Sequence, residues 1–115
     1  MMLYFAYGSN MHFGQMRDRC PSAQFVCVAV LKGHRLAFTR YSKSRGCGVA
    51  DVVPQPGGEV WGIVYGISDN EVARLDKCEG YNPERPRCKN AYVREERCVY
   101  RDGDEGLCVV AQVYF

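Results

Sequence analysis

The chain has 115 residues, of which 47% are hydrophobic and 24% are charged, with a formal net charge of +2 at pH 7. This length predicts a single domain, residues 1–115, and the apolar fraction is sufficient for a hydrophobic core, which excludes a disordered chain. The small charge argues against a protein built mainly to bind nucleic acid or anionic lipid. No stretch approaches the roughly 18 apolar residues of a membrane span, and the first ten residues lack a secretory signal pattern. We therefore expect a cytoplasmic protein with no membrane partner.

Seven cysteines are many for this length, and disulfides, a metal site and ordinary core residues are the three alternatives. The odd number and the missing secretory signal argue against a full set of disulfides. No CxxC pair is present and the two histidines have no ligand-like spacing, so we expect no metal. The last four cysteines are ten residues apart, but the segments between them do not repeat, so we interpret this spacing as coincidental. The sequence therefore predicts reduced, mostly buried cysteines.

Apolar and alternating stretches predict six or seven strands, at residues 3–7, 23–31, 35–41, 46–53, 59–67, 91–100 and 107–115. Gly33 and His34 are typical of a tight turn, which predicts a hairpin between the second and third of these strands. Two prolines and two glycines predict a break at residues 54–58. Loops are expected at residues 42–45 and 81–90, and a turn at residues 101–106.

Two helices are predicted among these strands. The first covers residues 11–19, with Asn10 as its N-cap. Ser68 and Glu71 have the spacing of a capping box, and apolar residues then recur at helical spacing as far as Gly80. Long apolar strands with two helices favour a closed or partly closed mixed β-barrel of the α+β class.

The first candidate site is the loop after the first strand, Tyr7-Gly8-Ser9-Asn10. A glycine lets the backbone approach a ligand closely, and successive N–H groups at the end of a strand can bind a carboxylate or phosphate. Ser9 and Asn10 add neutral hydrogen-bonding groups. An ordinary strand-to-helix turn explains the same four residues, so both interpretations remain open at this point.

The second candidate is Glu79, which lies four residues after Leu75 and seven after Val72, on the face that the helix should bury. Glu79 also lies at the helix C-terminus, where the macrodipole is negative. Burial and the dipole both raise the pKa of a carboxyl group, which suits a general acid or base near neutral pH. Alternatively, Glu79 extends into solvent or pairs with one of the arginines at positions 85, 87 and 94. Asp76 is expected to face solvent or to act as a cap.

Two segments resemble, in order, the signatures of the γ-glutamylcyclotransferase family. Tyr4-Phe5-Ala6-Tyr7-Gly8-Ser9-Asn10 is similar to the family's opening signature, and Leu75-Asp76-x-x-Glu79-Gly80 is similar to its catalytic-glutamate segment. Residues 21–23, 48–50 and 56–65 also follow the family. The resemblance extends over nearly the whole chain, from about Tyr4 to Tyr114.

This resemblance implies a small β-barrel flanked by helices, with the site at the barrel mouth. Family members of this type cleave γ-glutamyl amino acids. In this reaction the α-amine of the glutamyl group attacks its own side-chain amide carbonyl and closes a five-membered ring. The products are 5-oxoproline and an amino acid or amine, and no cofactor is needed. Glu79 would be the general base that accepts the proton of the amine and then returns it to the leaving nitrogen.

The resemblance also implies which residues bind the substrate. The glutamyl head would be held, mainly by backbone groups, in the segment formed by Tyr4, Phe5, Ala6, Tyr7, Gly8, Ser9 and Asn10. Tyr92 and Tyr114, on the last two strands, would line the pocket. We expect a small-molecule γ-glutamyl partner, no nucleic acid, and a monomer or homodimer. The main alternative is a non-catalytic domain of the same fold that binds a carboxylate-bearing metabolite.

Overall fold

The computed structural model describes residues 1–42, 47–86, 88 and 92–115. Within these residues lie five strands: β1 (Met2–Ala6), β2 (Gln24–Ser42), β3 (Cys47–Ile67), β4 (Arg94–Arg101) and β5 (Cys108–Tyr114). There are two α-helices, α1 (Phe13–Arg19) and α2 (Val72–Cys78), and each follows a 3₁₀ turn, Ser9–Met11 or Asp69–Glu71. Some predicted segments lie partly outside the described residues: residues 43–45 of the predicted loop 42–45, part of the predicted loop 81–90, and the first residues of the predicted strands 46–53 and 91–100.

The strands form a closed barrel in the order β1-β3-β2-β4-β5. Neighbouring strands are antiparallel, except that β1 pairs parallel with β5 at Tyr4 and Gln112. The expected mixed barrel with two helices is therefore confirmed. In the part of the chain described here, no helix combines the length and the apolar composition that a membrane crossing requires.

The predicted count of six or seven strands is wrong, because β2 and β3 are each one long strand where two were expected. β2 continues through Gly33, where the hairpin was predicted, and the register with β3 shifts there. β3 continues through residues 54–58, where a break was predicted. Gly33 and Gly57 have φ of 74° and 76°, a conformation that serves a bulge as readily as a turn. Both halves of β2 pair with β3, so the irregularity bends the strands without ending them.

The buried residues form two clusters, one on each face of β1. The cluster inside the barrel draws on all five strands and contains Phe5, Tyr7, Cys27, Ala29, Leu31, Val52, Val60, Val64, Val99, Ala111 and Val113. The other lies between the barrel and the helices and contains Tyr4, Ala6, Met16, Cys20, Ala23, Tyr65, Ile67, Leu75 and Tyr114. Because side chains alternate along a strand, β1 contributes to both cores in turn.

A 3₁₀ turn occupies the predicted start of the second helix, so that α2 begins at Val72, and the predicted capping box does not form. Ser68 precedes the 3₁₀ turn and its side chain makes no capping hydrogen bond. The carboxylate of Glu71 instead accepts hydrogen bonds from the backbone N–H of Ser22, at 2.8 Å, and from the Ser22 hydroxyl. Hydrogen bonds from the Ser22 segment lower the pKa of Glu71. A partner distant in the chain thus replaces the local one.

The prediction of reduced, mostly buried cysteines is also wrong. Cys98 and Cys108 form a disulfide, and Cys78 and Cys88 are exposed, whereas Cys20 and Cys27 are buried. In the β4–β5 ladder Cys98 lies opposite Val110 and Cys108 lies opposite Tyr100. The two thiols are therefore diagonal neighbours on one face, close enough for a bridge. Only the strand register, which the spacing of ten residues does not reveal, brings them together.

Gly62 of β3 is a position where the barrel leaves no room for a side chain. A Cβ there would lie 2.3 Å from the carbonyl oxygen of Ala6 and 2.7 Å from the ring of Phe5. We expect Gly62→Ala to lower the free energy of unfolding by about 2 kcal/mol, because neither the backbone nor the buried ring can move aside cheaply. Gly106→Ala, where the new Cβ would lie 3.2 Å from Oδ1 of Asp104, should change it by less than about 0.5 kcal/mol. Urea denaturation measures both; equal stability of the two variants would contradict the packing argument.

Candidate active site

Asn10 lies in a 3₁₀ turn before α1 and does not cap that helix, so the cap prediction is wrong. The N–H of Met11 donates to the carbonyl of Gly8 at 3.0 Å, which turns the chain before the helix begins. The N-cap of α1 is His12, whose Nδ1 accepts a hydrogen bond from the backbone N–H of Gln15 at 3.2 Å. Asn10 itself is only 3% exposed, so its amide must find partners inside the protein.

The side-chain amide of Asn10 joins three parts of the fold. Its Nδ2 donates to the hydroxyl of Tyr4 at 3.1 Å and to Oε1 of Glu79 at 3.3 Å. Its Oδ1 accepts a hydrogen bond from Nη1 of Arg19 at 2.9 Å. The Asn10 amide therefore connects the loop after β1 to the end of α2 through its nitrogen and to the end of α1 through its oxygen.

Glu79 is the C-cap of α2, and its side chain is 17% exposed. Its backbone N–H donates to the carbonyls of Leu75 and Asp76 at 3.0 and 3.1 Å. Gly80 follows with φ of 68°, the left-handed conformation that commonly ends a helix. The carboxylate is therefore mostly buried and packs against the loop after β1.

Asp76 is 6% exposed, so the expectation that it faces solvent or acts as a cap is wrong. Its Oδ1 accepts hydrogen bonds from the hydroxyl of Tyr114 at 2.5 Å and from Nε of Arg94 at 3.0 Å. α2 packs against β4 and β5 here, and these two partners compensate the buried charge, which would otherwise be strongly unfavourable. Asp76 thereby ties α2 to the barrel one turn before Glu79.

Three buried tyrosines surround this region. The hydroxyl of Tyr7 donates to the backbone carbonyl of Tyr114 at 2.6 Å, and the rings of Tyr4 and Tyr114 meet edge to face with centroids 5.6 Å apart. Burial, and to a lesser degree nearby negative charge, raises the pKa of all three well above the usual value of a tyrosine. All three are therefore neutral hydrogen-bonding groups at physiological pH.

The remaining predicted site residues lie in different surroundings. The side chains of Phe5 and Ala6 are fully buried in the two cores. Gly8 is half-buried beside Ala50, and Ser9 is exposed, with its Oγ accepting a hydrogen bond from Gln15 at 3.1 Å.

Tyr92 is half-buried, and its hydroxyl donates to the carbonyl of Ala50 at 2.7 Å. Among the described residues, the backbone N–H groups of Gly8, Ser9 and Asn10 meet no acceptor. In the same part of the chain, no cluster of three histidine, cysteine, aspartate or glutamate side chains is arranged to hold a metal ion.

Sequence reasoning missed the partners that complete this site. Arg19 ends α1, and no local pattern connects it with Glu79, which lies 4.0 Å from it. Arg94, one of the arginines expected as alternative partners of Glu79, pairs instead with Asp76. A helix periodicity shows which face of a helix is buried but not which residues lie opposite it, so no available signal identified either contact.

The fold and the site together define a class of small closed barrels in which the loop after the first strand meets a buried carboxylate at the end of a helix. A family model described as Gamma-glutamyl cyclotransferase, AIG2-like matches residues 4–115, and the chain belongs to this family. The family expected from the sequence is thereby confirmed.

Two curated relatives, each named Gamma-glutamylcyclotransferase, come from Mus musculus and Homo sapiens. Each is 40% identical to this chain over 82 residues, which cover 68% of this chain and 44% of the relative. The match thus spans less than half the length of these relatives. A solved structure named Gamma-glutamyl cyclotransferase superposes with a TM-score of 0.84 at 32% identity, over 99% of this chain and 65% of the other. YkqA from Bacillus subtilis superposes with a TM-score of 0.73 at 25% identity, over 99% and 39%.

The buried tyrosines predict a loss of stability at alkaline pH. Since the folded-state pKa of Tyr4, Tyr7 and Tyr114 is raised, the unfolded chain releases these protons first. The stabilisation is complete below about pH 10 and falls above it by about 1.4 kcal/mol per pH unit for each tyrosine. We expect Tyr7→Phe to reduce this decline by about 1.4 kcal/mol per pH unit, as measured by urea denaturation from about pH 9 to about pH 11. An unchanged slope would contradict the burial of this hydroxyl.

The Asp76–Arg94 pair predicts a second difference in stability. In Asp76→Asn the guanidinium of Arg94, which is 24% exposed, loses its carboxylate partner. We expect the free energy of unfolding to fall by about 3 kcal/mol, because an uncompensated charge remains in a largely buried position. Asp69→Asn is the matched control: that carboxylate is 80% exposed, and its loss should change stability by less than about 1 kcal/mol. Thermal and urea unfolding distinguish the two; similar values would refute a structural role for Asp76.

Proposed function

We propose that this protein is a γ-glutamylcyclotransferase that releases 5-oxoproline and an amino acid or amine from a γ-glutamyl substrate. The observation that carries the proposal is the contact between Asn10, in the loop after β1, and the mostly buried carboxylate of Glu79. Membership of the family and the names of the curated relatives support the same activity.

In the proposed reaction Glu79 acts first as a general base and then as a general acid. The α-ammonium of the substrate must lose a proton before its nitrogen can attack, and Glu79 accepts it. The nitrogen then forms a bond to the γ-carbonyl carbon, which closes a five-membered ring, and the amide bond to the leaving group breaks. Glu79 returns its proton to the leaving nitrogen. The second proton, which the ring nitrogen loses on becoming a lactam N–H, passes to the released amine, and this amine leaves as an ammonium. Atoms and charge therefore balance without a cofactor or a covalent intermediate with the protein.

The protein's second task is to hold the substrate in a bent conformer, since an intramolecular attack depends on alignment of the reacting atoms. We assign this task to the loop after β1. The backbone N–H groups of Gly8, Ser9 and Asn10 meet no acceptor among the described residues and can donate to the α-carboxylate of the glutamyl group. The neutral hydroxyls of Tyr4 and Tyr7 lie nearby without adding negative charge.

Tyr92 and Tyr114 are proposed to contribute to the wall of the pocket through their rings. Their hydroxyls already donate to the carbonyl of Ala50 and to the carboxylate of Asp76. Because these hydrogen bonds fix the orientation of the rings, the two tyrosines would shape the pocket without binding the substrate through their oxygens.

The experiment is to incubate the protein with a panel of γ-glutamyl amino acids and amines and to measure 5-oxoproline. We expect the wild-type protein to form it and Glu79→Gln to lose at least about a hundredfold in kcat, because the amide cannot accept the proton. Glu84→Gln, the same chemical change at an exposed loop position, should retain full activity.

Two outcomes would overturn the proposal: no product from any substrate of the panel, or equal activity of Glu79→Gln and the wild type. Binding of γ-glutamyl compounds without turnover, and with the same affinity in Glu79→Gln, would identify the protein as a non-catalytic ligand-binding domain of this fold. Isothermal titration calorimetry on the same samples distinguishes that result from failure to bind.

A further inference from the structure

Arg19, the last residue of α1, lies beside both groups on which the proposed reaction depends. Its Nη1 donates to Oδ1 of Asn10 at 2.9 Å and lies 4.0 Å from Oε1 of Glu79. The side chain is 20% exposed, so its charge is only partly screened by solvent. Its position also suits a cation, because it ends a helix, where the macrodipole is negative.

The first consequence concerns the amide of Asn10. One end of an asparagine amide accepts hydrogen bonds and the other donates them, whereas a guanidinium only donates. Arg19 therefore requires the oxygen of the amide, and the nitrogen must then face Glu79 and Tyr4. In the reverse orientation the amide oxygen would lie against the carboxylate and the amide nitrogen against the guanidinium, and both contacts would be repulsive.

The second consequence concerns the charge of Glu79. A cation near a carboxylate favours its ionised form and so opposes the effects of burial and of the negative end of α2. Among the described residues, Tyr4 and Tyr7, at and just after the end of β1, also interact electrostatically with Glu79. Both tyrosines are neutral at physiological pH, since burial raises their pKa, so Arg19 supplies the charge on the α1 side of the site.

We propose that Arg19 is a positioning residue for this reaction: it fixes the orientation of the Asn10 amide and keeps Glu79 ionised, and therefore able to accept a proton, at lower pH than would otherwise be possible. This inference rests on the proposed function. Arg19 is not itself assigned a bond to the substrate, and it acts through Asn10 and Glu79.

The test compares Arg19→Gln with Arg17→Gln. Arg17 makes the matched control because it lies on the same helix, is exposed and packs over the ring of Phe13, so its replacement changes the net charge equally. For Arg19→Gln we expect kcat to fall about tenfold to a hundredfold. The acidic limb of the pH–kcat profile should move to higher pH, because the carboxyl of Glu79 is harder to ionise without the guanidinium. Arg17→Gln should match the wild type in both respects.

Arg19→Lys separates the two consequences. It keeps the positive charge, so the acidic limb should stay near its wild-type position. A lysine cannot reproduce the planar geometry of the guanidinium, so kcat should recover only in part. A profile displaced as far as that of Arg19→Gln would overturn the electrostatic role. Since lysine also only donates hydrogen bonds, a kcat no higher than that of Arg19→Gln would overturn the role in orienting Asn10.

A measurement without turnover keeps this inference separate from the proposed function. The carboxyl carbon of Glu79 is titrated by NMR in the ¹³C-labelled wild type, Arg17→Gln and Arg19→Gln proteins. We expect its titration midpoint to be higher in Arg19→Gln and unchanged in Arg17→Gln. If the wild type makes no 5-oxoproline, the proposed function fails. If the wild type is active and neither the midpoint nor the pH profile moves in Arg19→Gln, the role of Arg19 alone fails.

Discussion

The fold depends on β1, because both of its edges are paired and both of its faces are buried. β1 pairs antiparallel with β3 and parallel with β5, which closes the barrel. Phe5 belongs to the core inside the barrel, whereas Tyr4 and Ala6 belong to the core beneath the helices. A shift of one residue would exchange these two sets, so the register is strongly specified. The turn that begins at Gly8 is therefore held in place by the packing of the strand that precedes it.

The positions of most strands and of both helices could be predicted from the sequence, but the number of strands could not. Gly33 and Gly57 adopt positive φ, and turns and bulges both require this conformation. The two possibilities differ only in strand pairing. In a hairpin, the residues on either side of Gly33 would pair with each other, whereas here both sides pair with the same strand, β3. The disulfide between Cys98 and Cys108 was missed for the same reason, because it depends on the register of β4 with β5 and not on local spacing.

The candidate site was predictable only in part, because a local pattern shows which face of an element is buried but not which distant residues contact it. Periodicity places Glu79 on the packed face of α2, and the glycine after β1 marks a loop with accessible backbone. The side-chain partners were not predictable, because they come from distant parts of the chain. Asn10 has the local features of a helix cap, yet its amide contacts Glu79, 69 residues further along the chain. The sequence predicts that Asp76 faces solvent or acts as a cap, yet its side chain is buried and the positive charge of Arg94 compensates its negative charge.

Two mostly buried carboxylates lie three residues apart on α2, and their contacts suit them to different tasks. Asp76 accepts a hydrogen bond from the hydroxyl of Tyr114 at 2.5 Å and forms an ion pair with Arg94 at 3.0 Å, so its carboxylate is held closely by β4 and β5. The contacts of Glu79 with the neutral amide of Asn10 and with Arg19 are longer, at 3.3 and 4.0 Å. At these distances each of the two contacts is weaker than the close pair of Asp76 with Arg94. Asp76 holds α2 against β4 and β5, whereas the longer contacts of Glu79 agree with the proton transfer that we propose for it.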